Sequence, residues 1–165
     1  MTSRIASILP VLARHDGVWD GWFRRVDANG DKLEEFPTRV IVRYLGDDLW
    51  PNIYHQTNAY TLPNGTSQQI ETHGSVGNGK LVFNSARVSG WSVDDPTDPH
   101  QRSALMYMDF LSDPSLHMYE MMQISDCGCH RTRVAQFLRN GLTVSRTLID
   151  ETRTGDWQDF VGQPA

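Results

Sequence analysis

Apolar and polar side chains trade places residue by residue along short stretches of this chain. In Leu116–Ile124 the even positions are Leu116, Met118, Glu120, Met122 and Ile124; the odd positions are His117, Tyr119, Met121 and Gln123. A period of two marks a β-strand with one buried face. Runs rich in Val, Ile, Thr, Tyr, Phe and Trp recur at 18–26, 32–45, 52–62, 66–76, 80–86, 88–93, 103–111, 130–139 and 142–152. These residue types fit a pleated, half-buried surface. Only residues 1–14 follow another rhythm. There Ile5, Ile8, Leu9 and Leu12 recur at helical spacing, which predicts a short helix or arm packed on one end of the fold.

Turn signals separate the strands. Asn29-Gly30, Asn64-Gly65, Asn78-Gly79 and Asn140-Gly141 each suit a type I′ hairpin, in which both central residues take positive φ. Pro37 predicts a break or bulge near the start of the second strand. About ten consecutive hairpin-linked strands tend to close on themselves, because closure removes the exposed edges. The fold class expected is all-β: one closed antiparallel up-and-down barrel of about eight to ten strands with a short N-terminal helix. One domain over residues 1–165 is expected, with the arm at 1–14 and the barrel at 15–160.

One strand blurs the alternation. Within 52–62 one face carries Tyr54, Gln56, Asn58 and Tyr60, and the other carries Ile53, His55, Thr57, Ala59 and Thr61. A barrel with a polar-lined cavity produces this pattern. A strand wet on both faces produces it too.

A formal net charge of −5, from 15 basic and 20 acidic residues, speaks against a nucleic-acid binder, which would carry a basic stripe. No apolar run approaches the roughly 20 residues that span a bilayer, and Pro10 interrupts the short apolar segment near the start. Two cysteines make no disulfide framework. These features predict a cytoplasmic protein, monomer or homodimer, with neither nucleic acid nor membrane as partner.

The candidate chemistry is sparse. Dinucleotide, phosphate-loop, nucleophile-elbow and His-Glu-x-x-His motifs are missing. His55 and His117 are candidate general bases, Tyr107 a candidate acid, and Arg133 a candidate anchor for a carboxylate or phenolate. The plainer reading of each histidine is a half-buried strand residue bonded to a neighbour; His15 and His100 read as solvated loop residues. Glu120 sits among Met118, Met122 and Ile124, so it needs a partner or a raised pKa, and Arg133 or Arg131 of the next strand can supply the charge. Tyr54, Tyr60, Met106, Met108, Met118, Met122 and Phe137 are candidates to wall a ligand cavity, since Met suits adaptable apolar surfaces; core packing is the alternative. Cys127-Gly128-Cys129-His130 offers three soft ligands in one turn, but a structural zinc site wants a fourth, usually from a separate pair. No metal and no cofactor is expected.

Gly17-Val18-Trp19, opening the first strand after the arm, resembles the Gly-x-Trp signature of lipocalin-like (calycin) barrels. The longer pattern Gly17-Val18-Trp19-Asp20-Gly21-Trp22-Phe23, then Asp27-Ala28-Asn29-Gly30, is similar to the bacterial DUF3598 group. The last hairpin, with Arg131-Thr132-Arg133, Asn140-Gly141 and Leu148 through Arg153, resembles that group as well. The resemblance implies that Trp19 closes the barrel floor with Arg153 packed across its face, a cation–π pair of ~1 kcal/mol or more when desolvated. It implies a barrel whose cavity binds a small, mostly apolar organic molecule, with aromatic, polyketide-like and terpenoid-like compounds as the range. The alternative on the same barrel is a cofactor-independent isomerase, lyase, hydratase or cyclase working by His, Tyr, Glu and Arg proton transfer. Haem binding through His117 or His55, and chromophore attachment as in bilin lyase barrels, are further readings.

Overall fold

The computed structural model describes residues 4–160; residues 1–3 of the expected arm and the segment 161–165 lie outside the described residues. Ten antiparallel strands follow one another: β1 (Gly17–Asp27), β2 (Lys32–Tyr44), β3 (Tyr54–Thr61), β4 (Ser67–Gly77), β5 (Lys80–Asn84), β6 (Val88–Asp94), β7 (Ser103–Phe110), β8 (Leu116–Ile124), β9 (His130–Arg139) and β10 (Leu142–Gly155). Each pairs with its sequence neighbours, and β10 pairs with β1, so the sheet closes into a barrel. The expected fold class is the observed one.

All four Asn-Gly pairs fall at hairpin turns, but by two geometries. At Asn78-Gly79 and Asn140-Gly141 both residues have positive φ, with Asn at 51° in each and Gly at 71° and 78°. These are two-residue loops, bounded by the pairs Gly77↔Lys80 and Arg139↔Leu142. At the other two sites only Gly30 and Gly65 take positive φ. There the loops are longer, and Asp27 and Asn64 carboxyl or amide oxygens accept from backbone N–H groups inside the turn. Side-chain turn chemistry replaces the type I′ geometry at those corners. Pro37 causes no break: pairing with β1 runs through Trp22↔Pro37, and the irregularity lies between Arg25 and Val26 instead.

The N-terminal segment forms two short helices, α1 (Arg4–Ile8) and α2 (Pro10–Ala13), split at Leu9 because Pro10 cannot continue the first. They plug one end of the barrel. Ile5, Leu9, Val11 and Leu12 are buried with Trp19, Val40, Val42, Ile53, Leu81, Phe83 and Ile124. The plug is pinned by Asp94, whose carboxylate accepts the N–H groups of Val11 and Leu12 at 2.8 and 2.9 Å. Among the described residues, no helix is long and apolar enough to cross a membrane.

The ring has one thin seam. β4 pairs with β5 only through Ser75, Val76 and Gly77, so Ser67–Gly74 has no strand partner on that side. Every other neighbouring pair of strands is joined over a longer stretch, the short β5 and β6 included.

Candidate functional site

Inward-facing positions are set by the period of two. In β8, Met118, Glu120, Met122 and Ile124 are buried while Tyr119 and Met121 are exposed. Register carries this parity round the ring: Met106 faces Glu120, Met108 faces Met118, and Ala135 stands opposite Glu120 on the other side. The inward side chains leave a cavity of about 230 Å³ above the plug.

One wall is apolar, built by Met106, Met108, Phe110, Met118, Phe137 and Phe23. The wall from β3 is polar and wired along its length. Tyr54 Oη donates to Gln56 Oε1 at 2.5 Å, and Gln56 Nε2 donates to Asn58 Oδ1 at 2.9 Å. The blurred alternation of this strand therefore reflects a polar-lined cavity. Tyr60 continues the row and meets Phe23 and Phe36 edge-on at 5.9 and 5.5 Å. Burial raises the hydroxyl pKa of both Tyr54 and Tyr60, so both remain donors at neutral pH. The lining also includes Glu71, Thr72 and His73 of β4 and Ser85, Arg87 and Val88 of the β5–β6 hairpin, so the cavity reaches the seam between them.

The floor is ionic. Arg133 Nε donates to Glu120 Oε1 at 2.7 Å, and Arg133 Nη1 stands 3.9 Å from Glu151 Oε1. Beneath it Arg131 Nε donates to Glu151 Oε2 at 2.5 Å, with both side chains essentially buried. Two guanidiniums and two carboxylates cancel, which is how so many charges sit inside a barrel without an uncompensated one. Burial opposes the charge on Arg133, but Glu120 and Glu151 outweigh it and hold its pKa above the ordinary arginine value. For Arg131 burial wins and lowers the pKa despite Glu151.

Trp19 lies under this quartet. Its ring receives the guanidinium of Arg131 at 4.4 Å and that of Arg153 at 4.8 Å, and its indole N–H donates to the His15 carbonyl at 2.8 Å. Arg153 in turn donates to the carbonyl oxygens of Arg14 and Gly128. The Trp–Arg closure implied by the Gly-x-Trp resemblance is present, with a second arginine added. His15 corrects the expectation of a solvated loop residue: it is 3% exposed beside Trp19. Burial, reinforced by the surrounding arginines, drops its pKa well below the usual value and keeps it neutral. Both its ring nitrogens, Arg131 Nη2 and Glu151 Oε1 have no hydrogen-bond partner among the described residues.

The expected site residues fall into two groups. Glu120 and Arg133 meet in the floor, and Tyr54, Tyr60, Met106, Met108, Met118 and Phe137 line the cavity. Met122 points inward but lies deeper, in the core around the plug. His55, Tyr107 and His117 occupy the opposite parity and face outward, so they do not join the floor pair. His55, itself outside the cavity lining, contacts Glu71 and stacks on His73 at 4.3 Å, and partial burial holds its pKa below the ordinary value against the pull of Glu71. Tyr107 donates to Asp109 at 2.6 Å, a bond that pushes its pKa up to about 12. Around it Trp91, His117 and Tyr119 form an outer aromatic cluster. Partners for these residues come from their own strands and cross-strand neighbours, as a plain half-buried strand residue would have.

Sequence reasoning passed over Glu151, read Gln56 and Asn58 only as part of a polar strand face, and took His15 for a solvated loop residue. Glu151 carried a signal: it stands at the same parity as Ile149 in a strand beside two arginines. His15 carried none, since its burial depends on the plug. Among the described residues no group of three His, Cys, Asp or Glu side chains could hold a metal ion.

A closed antiparallel barrel with a plugged end, a tryptophan floor clamped by arginine and an internal cavity has the architecture that the Gly-x-Trp resemblance implies. Known structures agree. A DUF3598-family protein of unknown function from Nostoc punctiforme superposes with TM-score 0.63 at 13% identity, over 87% of this chain and 49% of that one. This chain thus spans about half the length of the Nostoc protein. The S-type phycobiliprotein lyase of Guillardia theta matches with TM-score 0.66 at 12% identity, over 87% and 90% of the two chains. A protein from M. tuberculosis matches with TM-score 0.59 at 13% identity, over 89% and 97%. No protein-family model matches the sequence, and no curated protein matches it. Identities this low carry the fold.

Proposed function

We propose that this barrel binds a small, mostly apolar organic molecule with one hydrogen-bonding end. The observation that carries the reading is the cavity of about 230 Å³ with a methionine and phenylalanine wall on one side and a ladder of Tyr54, Gln56, Asn58 and Tyr60 on the other. Such volumes lie just under the ~300–1,000 Å³ usual for drug-sized ligands, so the occupant is compact. The floor charges cancel, which favours a neutral ligand over a strongly ionic one. Its polar end would meet Glu120 and Arg133, and its flat body the methionines, whose thioethers adapt to ring edges. The fold shared with a phycobiliprotein lyase supports a small-molecule role by analogy.

A second reading, cofactor-free proton transfer by an isomerase, lyase, hydratase or cyclase, draws on the buried Glu120 carboxylate, which lines the cavity and is held by Arg133. His55, Tyr107 and His117 face away from that cavity, so this reading leans on Glu120 and Arg133.

Native mass spectrometry of the freshly purified protein, set against its denatured mass, tests the proposal together with Met108→Trp, which fills the cavity from its apolar wall. A retained or added apolar ligand should be lost on denaturation and bind at least about tenfold more weakly to the variant, the cost of a blocked pocket. Ligands that bind wild type and variant alike would overturn it. Conversion of a bound ligand that stops in Glu120→Gln moves the weight to the catalytic reading.

A further inference from the structure

The turn from β8 to β9 carries both cysteines of the chain, free and exposed, outside the cavity. The backbone coils tightly there: Gly128 sits at φ 68° and its N–H donates to the Ser125 carbonyl at 2.9 Å. Coiling aims donors at one sulfur. Cys127 Sγ accepts the Cys129 N–H at 3.3 Å and lies 3.3 Å from Ser125 Oγ. Ser125 Oγ itself accepts the His130 N–H at 3.0 Å, which leaves its own proton for the sulfur. Cys129 Sγ, by contrast, donates to the Cys127 carbonyl at 3.4 Å. The two thiols are therefore unequal. Hydrogen bonds from Cys129 and Ser125 bring the Cys127 pKa down to about 7, and the same contact with Cys127 pushes Cys129 up.

The surroundings are cationic. Arg14 and Arg153 line the same surface depression as the two cysteines. Arg14 donates to the carbonyl oxygens of Gln101, Ser125 and Asp126, and Arg153 to those of Gly128 and Arg14. All of these acceptors are backbone carbonyls, so neither guanidinium is in an ion pair among the described residues. Asp126, the acidic residue in the depression, is already paired with Arg102 at 2.5 Å.

We propose that Cys127 and Cys129 form a thiol–disulfide exchange site for small disulfides bearing carboxylates, with Cys127 attacking and Cys129 resolving. The Cys127 thiolate attacks one sulfur of the small disulfide, whose S–S bond breaks. The departing thiolate takes a proton from solvent, and a mixed disulfide remains on Cys127. Cys129 then loses its proton and attacks Cys127 Sγ, expelling the second small thiol. Two electrons pass from the protein dithiol to the small disulfide, and the turn is left as a Cys127–Cys129 disulfide. Arg14 and Arg153, neutralised by no carboxylate among the described residues, attract the carboxylates, since concentrated positive charge raises the local concentration of an anion.

The test uses the reduced full-length protein, excess glutathione disulfide as the anionic probe, and cystamine as its cationic counterpart, followed by acid quench and intact mass. Wild type should lose two hydrogens with little lasting adduct. Cys129→Ser should accumulate one glutathione on Cys127, and Cys127→Ser should react about tenfold more slowly, as expected when the low-pKa thiol is removed. Glutathione disulfide should outpace cystamine, and Arg14→Gln should erase that preference while circular dichroism shows an intact barrel. Two separate glutathione adducts on wild type, equal rates for Cys127→Ser and wild type, or equal rates for the two probes would each overturn the proposal.

Discussion

Glu120→Leu should destabilise this barrel by about 3 kcal/mol, the low end for stranding one member of a buried pair. Glu120 is 4% exposed at its side chain and Arg133 11%, so neither charge can turn to solvent when its partner goes. The low end applies because Glu151 remains 3.9 Å from Arg133 and retains part of the attraction. For a chain of this length about 3 kcal/mol lowers Tm by roughly 6–12 °C. Arg133→Met should cost a similar amount, since it strands Glu120 among methionines. The double variant Glu120→Leu/Arg133→Met places apolar side chains against Met106, Met122 and Ala135, and should lose less than either single variant. That is a coupling of at least about 3 kcal/mol in a double-mutant cycle. Urea unfolding followed by tryptophan emission, with calorimetry alongside, measures all four corners. Single variants within about 0.5 kcal/mol of wild type, or losses that simply add, would refute the reasoning, because they would mean that the pair is solvated.

Other outcomes follow from the same geometry. Burial holds the folded His15 pKa well below the ordinary histidine value of about 6.5, so the unfolded chain takes up the proton first; stability should fall as pH drops through about 6.5, by up to ~1.4 kcal/mol per pH unit, and His15→Phe should flatten that slope in urea titrations at several pH values. Gly21→Ala would put a Cβ 2.0 Å from the Asp150 carbonyl oxygen and should cost about 3 kcal/mol at the β1–β10 junction, whereas Gly77→Ala meets nothing within 4 Å and should be close to neutral in thermal melts. Along the seam, amides of Ser67–Gly74 without a β5 partner should exchange hydrogen faster than those of β8 and β9; equal protection would mean that the seam is closed in solution.

Strand order and barrel closure were legible because turn chemistry and period-two patterning act locally, and ten hairpin-linked strands leave few topologies. Trp19 and Arg153 were legible through the Gly-x-Trp resemblance. Parity round the ring was harder. The β8 pattern did place Met118, Glu120 and Met122 inward, and it therefore placed His117 outward. His55 and Tyr107 depended on register with neighbouring strands, which no local signal states. His15 depended on a plug whose position over Trp19 is a tertiary fact, and Leu9-Pro10 hid the split of that plug into two helices. The choice of Arg133 over Arg131 as partner of Glu120 rested on Glu151, which claims Arg131 first.

The β1–β10 ladder has a consequence for biosynthesis. Of the ten strands β1 leaves the ribosome first, and the strand that covers its free edge leaves last. Until β10 emerges that edge, with Val18 and Trp19 on it, has backbone donors and acceptors open to any passing strand. Only β2 can shield it, from the other side. Closure is thus a long-range event with the high contact order that slows folding and exposes intermediates to aggregation. A nascent chain stalled before β10 should be a substrate for holdase chaperones, and one released after β10 should not.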